Sequence, residues 1–244
     1  MDKLNLRFDR YFNWRGGDIS RLEGFTDAVF AFAVTLLVVS LEVPRTFNDL
    51  IDMMRGFPAF LVCFVFLIMI WIEHFLFSRR YGLSTGYIIF LNTILLFLVL
   101  FYVYPLKFLM TWLFHGMTGQ QIGNRLADGT LIPPVTYGQM PTLMVIYGLG
   151  YVAVYAVFCL MYRYVIRHRE SFDFTDAELH MTRYGYRSNF VMVAVGLLSV
   201  ALAVCIPSDR SAMWAGFAYF LIGPARGILG WRSGVKLTRL LERR

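Results

Sequence analysis

The chain has 244 residues, of which 58% are apolar, 17% aromatic and only 16% charged, with a formal net charge of +7. Soluble domains carry about 25% charged residues. Scarce charge, bunched apolar runs and a mean hydropathy of +0.57 therefore exclude a disordered chain, a soluble α/β enzyme and a fibrous protein. An all-α polytopic membrane protein remains. Crossing a bilayer core of ~30 Å takes roughly 20 helical residues. In chain order, an arm of residues 1–24 leads into a transmembrane domain of residues 25–230. Its six predicted spans lie near 25–43, 57–77, 87–108, 143–164, 188–206 and 212–229. A basic tail, 231–244, follows. Pro207–Ser211 breaks the last hairpin.

The basic residues set the orientation. Eighteen of the 23 Lys and Arg fall in the arm, in the second–third and fourth–fifth connections, and in the tail together with Arg226 just before it. The positive-inside rule places all four segments, and so both termini, in the cytoplasm. An even number of spans agrees. Because these charges sit at span ends, the net charge reads as basic flanks facing anionic lipid rather than as a nucleic-acid surface. The region before Ala28–Leu41 is long and of mixed charge, unlike that of a signal peptide.

No HExxH, Walker loop, GxSxG or dinucleotide fingerprint is present, and the four histidines lack ligand spacing. Cys63, Cys159 and Cys205 all lie in apolar runs without CxxC spacing. Neither an enzyme nor a resident metal or cofactor is expected. The outer connection, Trp112–Pro141, is rich in Gly and Pro and reads as a loop. The inner one, Arg163–Arg187, has room for a short surface helix.

Ionisable groups inside a membrane are costly and need a partner or a purpose. Arg21 and Asp27 flank the start of the first span, Glu73 and His74 lie near the cytoplasmic end of the second, and Asn92 lies in the third. With both termini inside, Asp27, His74 and Asn92 share one depth and can form a polar layer across three helices. Arg21 and Asp27, about 240° apart around a helix, pair poorly with each other. His74 and Asn92 are the expected partners. Trp71 and His74 share a face at i, i+3.

The first span carries the most information. At about 100° per residue, Ala28, Phe32, Thr35 and Val39 form one stripe, with Ala31 at its edge. Around a symmetry axis this stripe would give a hydrophobic ring with a hydroxyl ring one turn beyond. As pattern alone it better suits packing against another helix.

The run Arg21-x3-Phe25-Thr26-Asp27-Ala-Val-Phe-Ala-Phe-Ala-Val-Thr35-Leu-Leu resembles the first-helix signature of the transmembrane-protein-175 potassium channels. Trp71-x2-His74 resembles that family's second-helix motif, and Asn92 and Pro105 match its third helix. The resemblance covers residues 21–108; beyond them only topology agrees. Two positions depart from the family pattern, since Thr26 replaces the usual Ser and Phe32 the usual Ile. The prokaryotic branch implies a homotetramer of six-span chains in the cell inner (plasma) membrane, with a central pore lined by the first helix. Permeant K+, lipid and the chain itself are then the only partners, with no nucleic acid.

On that resemblance Phe32, Leu36 and Val39 form the gate and constriction, and Thr35 with Ala31 sets ion selectivity. Arg21, Phe25, Thr26, Asp27, Trp71, His74 and Asn92 form the structural network. The implied activity is a potassium-permeable leak without a TVGYG-type filter, since Thr136-Tyr137-Gly138 lies in the outer connection. One alternative is a proton-coupled secondary transporter using Asp27, Glu73 and His74. Another is a non-conducting scaffold with Gly223-x3-Gly227 as a contact face.

Overall fold

The computed structural model of the chain describes residues 12–39, 43–118, 124–125, 131–206 and 210–242. Eight α-helices make up nearly all of it: α1 (Arg21–Val39), α2 (Phe47–Arg55), α3 (Phe57–Tyr81), α4 (Gly86–Thr118), α5 (Met140–Arg167), α6 (Asp176–Cys205), α7 (Ser211–Ala218) and α8 (Ile222–Leu241). A two-residue antiparallel pairing, Asn124–Arg125 with Leu131–Ile132, is the only sheet among the described residues. A 3-10 turn at Tyr219–Leu221 joins α7 to α8. Among the described residues, five helical runs are long and apolar enough to cross a membrane: Phe57–Tyr81, Gly86–Phe114, Met140–Arg167, Asp176–Cys205 and Ser211–Leu241. Residues 40–42, at the end of the predicted first span, and 207–209, in the predicted hairpin breaker, lie outside the described residues, as do 1–11 of the arm and 243–244 of the tail.

Helix starts follow local side-chain chemistry. Ser20 and Glu23 cap α1 reciprocally: Glu23 N donates to Ser20 Oγ at 3.1 Å and Ser20 N to Glu23 Oε2 at 2.8 Å. Thr46 and Asp49 repeat the arrangement at α2, and Thr175 and Glu178 at α6. Each capping box satisfies amides that the first turn leaves unpaired. Pro58 in the first turn of α3 costs nothing there, because that amide has no intrahelical acceptor.

Two connections differ from their sequence reading. Helix α4 runs on to Thr118, where a loop is predicted from Trp112. Nothing between Leu106 and His115 breaks a helix, and the helix continues through Pro105, whose own carbonyl accepts from Tyr147 Oη. The inner connection shrinks to a 3-10 turn at Arg169–Ser171 with short flanks, because α5 and α6 both extend past the apolar boundary.

The core lies where α4, α5 and α6 converge on α1 and α3, around Leu95, Phe158, Val165 and Phe77. Helices α5 and α6 make the most extensive contact. It depends on close approach: a Cβ on Gly148 would sit 2.5 Å from Val200 Cγ2, and one on Gly196 2.6 Å from Val152 Cγ2. Small residues at such crossings let helices approach where lipid offers no hydrophobic drive to pack.

Candidate functional site

Helix α1 has two unlike faces. Thr26, Phe30, Ala33 and Leu37, spaced i, i+4, i+7, i+11, are buried within the chain. The opposite face, with Phe25, Ala28, Ala31, Phe32 and Thr35, is exposed; Phe32 is 55% exposed. Leu36 lies between the two faces. Val39 closes the helix, but its side chain lies outside the described residues. The Thr35 hydroxyl donates to the Ala31 carbonyl at 2.9 Å. Its proton is thus committed to the backbone, and its oxygen faces outward as an acceptor.

The buried face is anchored near the N-terminal end of α1. Asn92 Nδ2 donates to Thr26 Oγ1 at 2.7 Å, and that hydroxyl donates on to the Leu22 carbonyl at 2.8 Å. Thr26, His74 and Asn92 are all nearly inaccessible. Trp71 Nε1 donates to Asp27 Oδ1 at 2.8 Å, and the indole stacks on Phe75. Asn92 Oδ1 is buried without a hydrogen bond among the described residues. His74 interacts with the same carboxamide and can satisfy it when the facing ring nitrogen is protonated. A water-sized cavity of about 20 Å³, lined by Glu23, Asp27, His74, Ser78 and Arg79 among others, lies beside this layer.

The structure therefore brings Thr26, Asp27, Trp71, His74 and Asn92 together across α1, α3 and α4. The pairing differs from the simplest expectation, since Asp27 takes the Trp71 indole and Asn92 takes Thr26. Arg21 is exposed and makes no hydrogen bond or ion pair with a described residue, and Phe25 is 61% exposed. Glu73 points elsewhere: Asn189 Nδ2 on α6 donates to Glu73 Oε1 at 2.8 Å. Asp27 and His74 line one cavity while Glu73 serves another helix pair, so the three groups do not converge as a proton relay would need.

Sequence reasoning missed a clasp between the arm and α6. Arg15 Nη1 lies 3.0 Å from Glu178 Oε1, and its Nε and Nη2 donate to the Phe172 carbonyl at 3.1 and 2.8 Å. The guanidinium also lies 4.7 Å from the centre of the Phe174 ring. Gly16 N donates to the Arg79 carbonyl at 3.0 Å. Gly82 closes α3 in the left-handed region at φ 59°, and a Cβ there would lie 2.9 Å from the Arg15 carbonyl. Gly82 is thus required twice, by its backbone angle and by the close approach of the arm. The Thr175-x-x-Glu178 capping box was the one legible signal here, but it points to a helix start and not to Arg15.

Comparison with known proteins gives a consistent result. A family model described as the endosomal/lysosomal potassium channel TMEM175 matches residues 21–103. A protein named potassium channel from Marivirga tractuosa is 39% identical over 233 residues, spanning 95% of this chain and 94% of that one. A potassium channel of Chamaesiphon minutus is 29% identical over 106 residues, 40% of this chain and 52% of that one. The fold matches the crystal structure of a variant of the potassium channel MtTMEM175 in complex with a nanobody–MBP fusion protein. The TM-score is 0.78 at 38% identity, covering 92% of this chain and 97% of that one. The chain belongs to the TMEM175 potassium channel family. It is a multi-pass membrane protein of a family of channels, not of enzymes.

Proposed function

We propose that the chain forms a weakly selective, K+-favouring leak channel in which four copies surround an axis lined by α1. In this reading α1 is a sixth span beside the five apolar runs. The arm (1–24) and tail (231–244) flank a transmembrane domain of residues 25–230, both termini are cytoplasmic, and the channel sits in the inner (plasma) membrane. The carrying observation is the split of α1 into a face anchored through Thr26 and a face bearing Phe32 and Thr35 that the chain itself leaves uncovered. A helix that also carries Arg21, Glu23 and Asp27 in its first two turns is poorly suited to lipid on all sides. A hydrated axis shared with identical helices suits it.

Along that axis Phe32 forms the constriction, which excludes water when narrow, with Leu36 and Val39 lining the path beyond. Thr35 presents an outward acceptor oxygen to a partly dehydrated cation, and the small Ala31 leaves space beside it. Few oxygens replace the hydration shell, so the preference for K+ over Na+ is modest. Arg21, Phe25, Thr26, Asp27, Trp71, His74 and Asn92 hold the pore helices in register. The permeant ion needs no resident cofactor.

The test is K+ and Na+ flux in vesicles reconstituted with Phe32→Ala and Thr35→Ala. The first is expected to raise flux and the second to lower the K+/Na+ preference. Unchanged flux and unchanged preference in both would overturn the pore assignment.

A further inference from the structure

Where His180 on α6 meets Ser233 on α8, the two helices gather basic groups that no described residue pairs with. His180 on α6 contacts Ser233 on α8, with its Nε2 2.9 Å from Ser233 Oγ. Lys236, Arg187 and Arg183 all lie close enough to the His180 ring to act on it electrostatically. Arg183 and Arg187 follow His180 at i+3 and i+7, on one face of α6. On α8, Arg232, Lys236 and Arg239 follow one another at i+4 and i+7, again on one face. All five cations are exposed, and none makes a hydrogen bond or ion pair with a described residue. Helix α8 has no acidic residue, and α6 has only Asp176 and Glu178 in its first turn, the latter held by Arg15.

Position narrows the counter-anion. Arg187 directly precedes Ser188, where the apolar stretch of α6 begins, and Arg232 directly follows Trp231 at the end of the apolar stretch of α8. Beside the basic face, α8 turns Ile228, Trp231 and Val235 outward, with Trp231 72% exposed. An exposed indole between an apolar ridge and a row of cations is the arrangement of a helix at the headgroup level. A second copy of this face would bring like charges together.

We propose that Arg183, Arg187, Arg232 and Lys236 form a headgroup site for an anionic phospholipid, with Trp231 seated at the acyl boundary. The site binds the lipid phosphate through charge-assisted hydrogen bonds and ties the inner end of α8 to α6 through a shared anion. It is independent of the pore assignment.

The experiment is native mass spectrometry of the full chain in mild detergent, titrated with phosphatidylglycerol or with phosphatidylcholine of the same acyl chains. The wild-type chain is expected to retain phosphatidylglycerol at least about ten-fold more strongly, and salt to weaken that retention. Each charge removed should weaken it about five-fold, so Arg183→Gln/Arg187→Gln/Lys236→Gln should abolish the preference while Arg183→Lys/Arg187→Lys keeps it. Equal retention of the two lipids by the wild-type chain, which needs no variant to fold, would overturn the proposal. So would undiminished phosphatidylglycerol retention in a monodisperse triple-Gln variant. A triple-Gln variant that loses oligomeric mass while still retaining the lipid would assign the face to a second copy and equally overturn it.

Discussion

Thr26 shows how much one hydroxyl can decide. Its oxygen accepts from Asn92 and its proton goes to the α1 backbone, so a buried carboxamide, a helix and a neighbouring helix are joined by one atom. Thr26→Val keeps the volume but strands the Asn92 amide, and a buried unsatisfied donor costs about 1–3 kcal/mol. A thermal unfolding scan in detergent should show a clear drop for Thr26→Val and near wild-type behaviour for Thr26→Ser. Equal midpoints for all three would place the Asn92 bond elsewhere. Trp71 offers a second residue-scale check, because Trp71→Phe removes the donor to Asp27 while retaining an aromatic ring against Phe75. That bond is exposed, so the expected loss of stability is smaller than for Thr26→Val.

At the scale of elements, the arm and the glycine crossings decide how helices sit. Burial alone would raise the Glu178 pKa, but bonds from Arg15, Thr175 and Asn13 outweigh it and hold the carboxyl below the ordinary glutamate range. Because the folded value is depressed, the contribution is complete above the ordinary value of about 4.3 and is lost as pH falls through the folded value. Unfolding midpoints measured from pH 7 down to pH 3 should therefore fall through the acid range. Arg15→Gln should start lower and fall less, and parallel curves would separate Arg15 from that titration. Gly150 tests the α4–α5 crossing, since an added Cβ would lie 2.1 Å from Tyr102 Cε1. Gly150→Ala should cost about 1–3 kcal/mol through overpacking. Adding Tyr102→Leu should recover part of the loss, and simple additivity in the double variant would show that the two positions do not share the strain.

For the whole molecule, the exposed face of α1 turns a question about one chain into one about copies. If the α1 stripe lines an axis, mass photometry in lipid nanodiscs should find a protein mass about four times that of the 28.2 kDa chain. A monomer or dimer in lipid would exclude the axial pore. Asp27→Asn probes the same level, because it weakens the acceptor for Trp71 at the start of α1. A reduced yield of the assembled form is expected, and unchanged assembly together with unchanged flux would demote the network.

Much of this was legible in the sequence, because a bilayer imposes its own ruler. Apolar length marks where helices run, and the Arg and Lys distribution marks their ends. The grouping of Asp27, His74 and Asn92 followed from shared depth, a one-dimensional property, and Trp71 joined it through the i, i+3 face it shares with His74. Direction around a helix did not follow. Glu73 and His74 are adjacent in sequence, yet one turns to Asn189 and the other to Asn92, and only the packing of α3 between two helix pairs decides which is which. The clasp between Arg15 and Glu178 joins residues 163 positions apart. Local sequence carries propensity, polarity and length; side-chain partners this distant are selected only when the helices have packed and each buried polar group must find one.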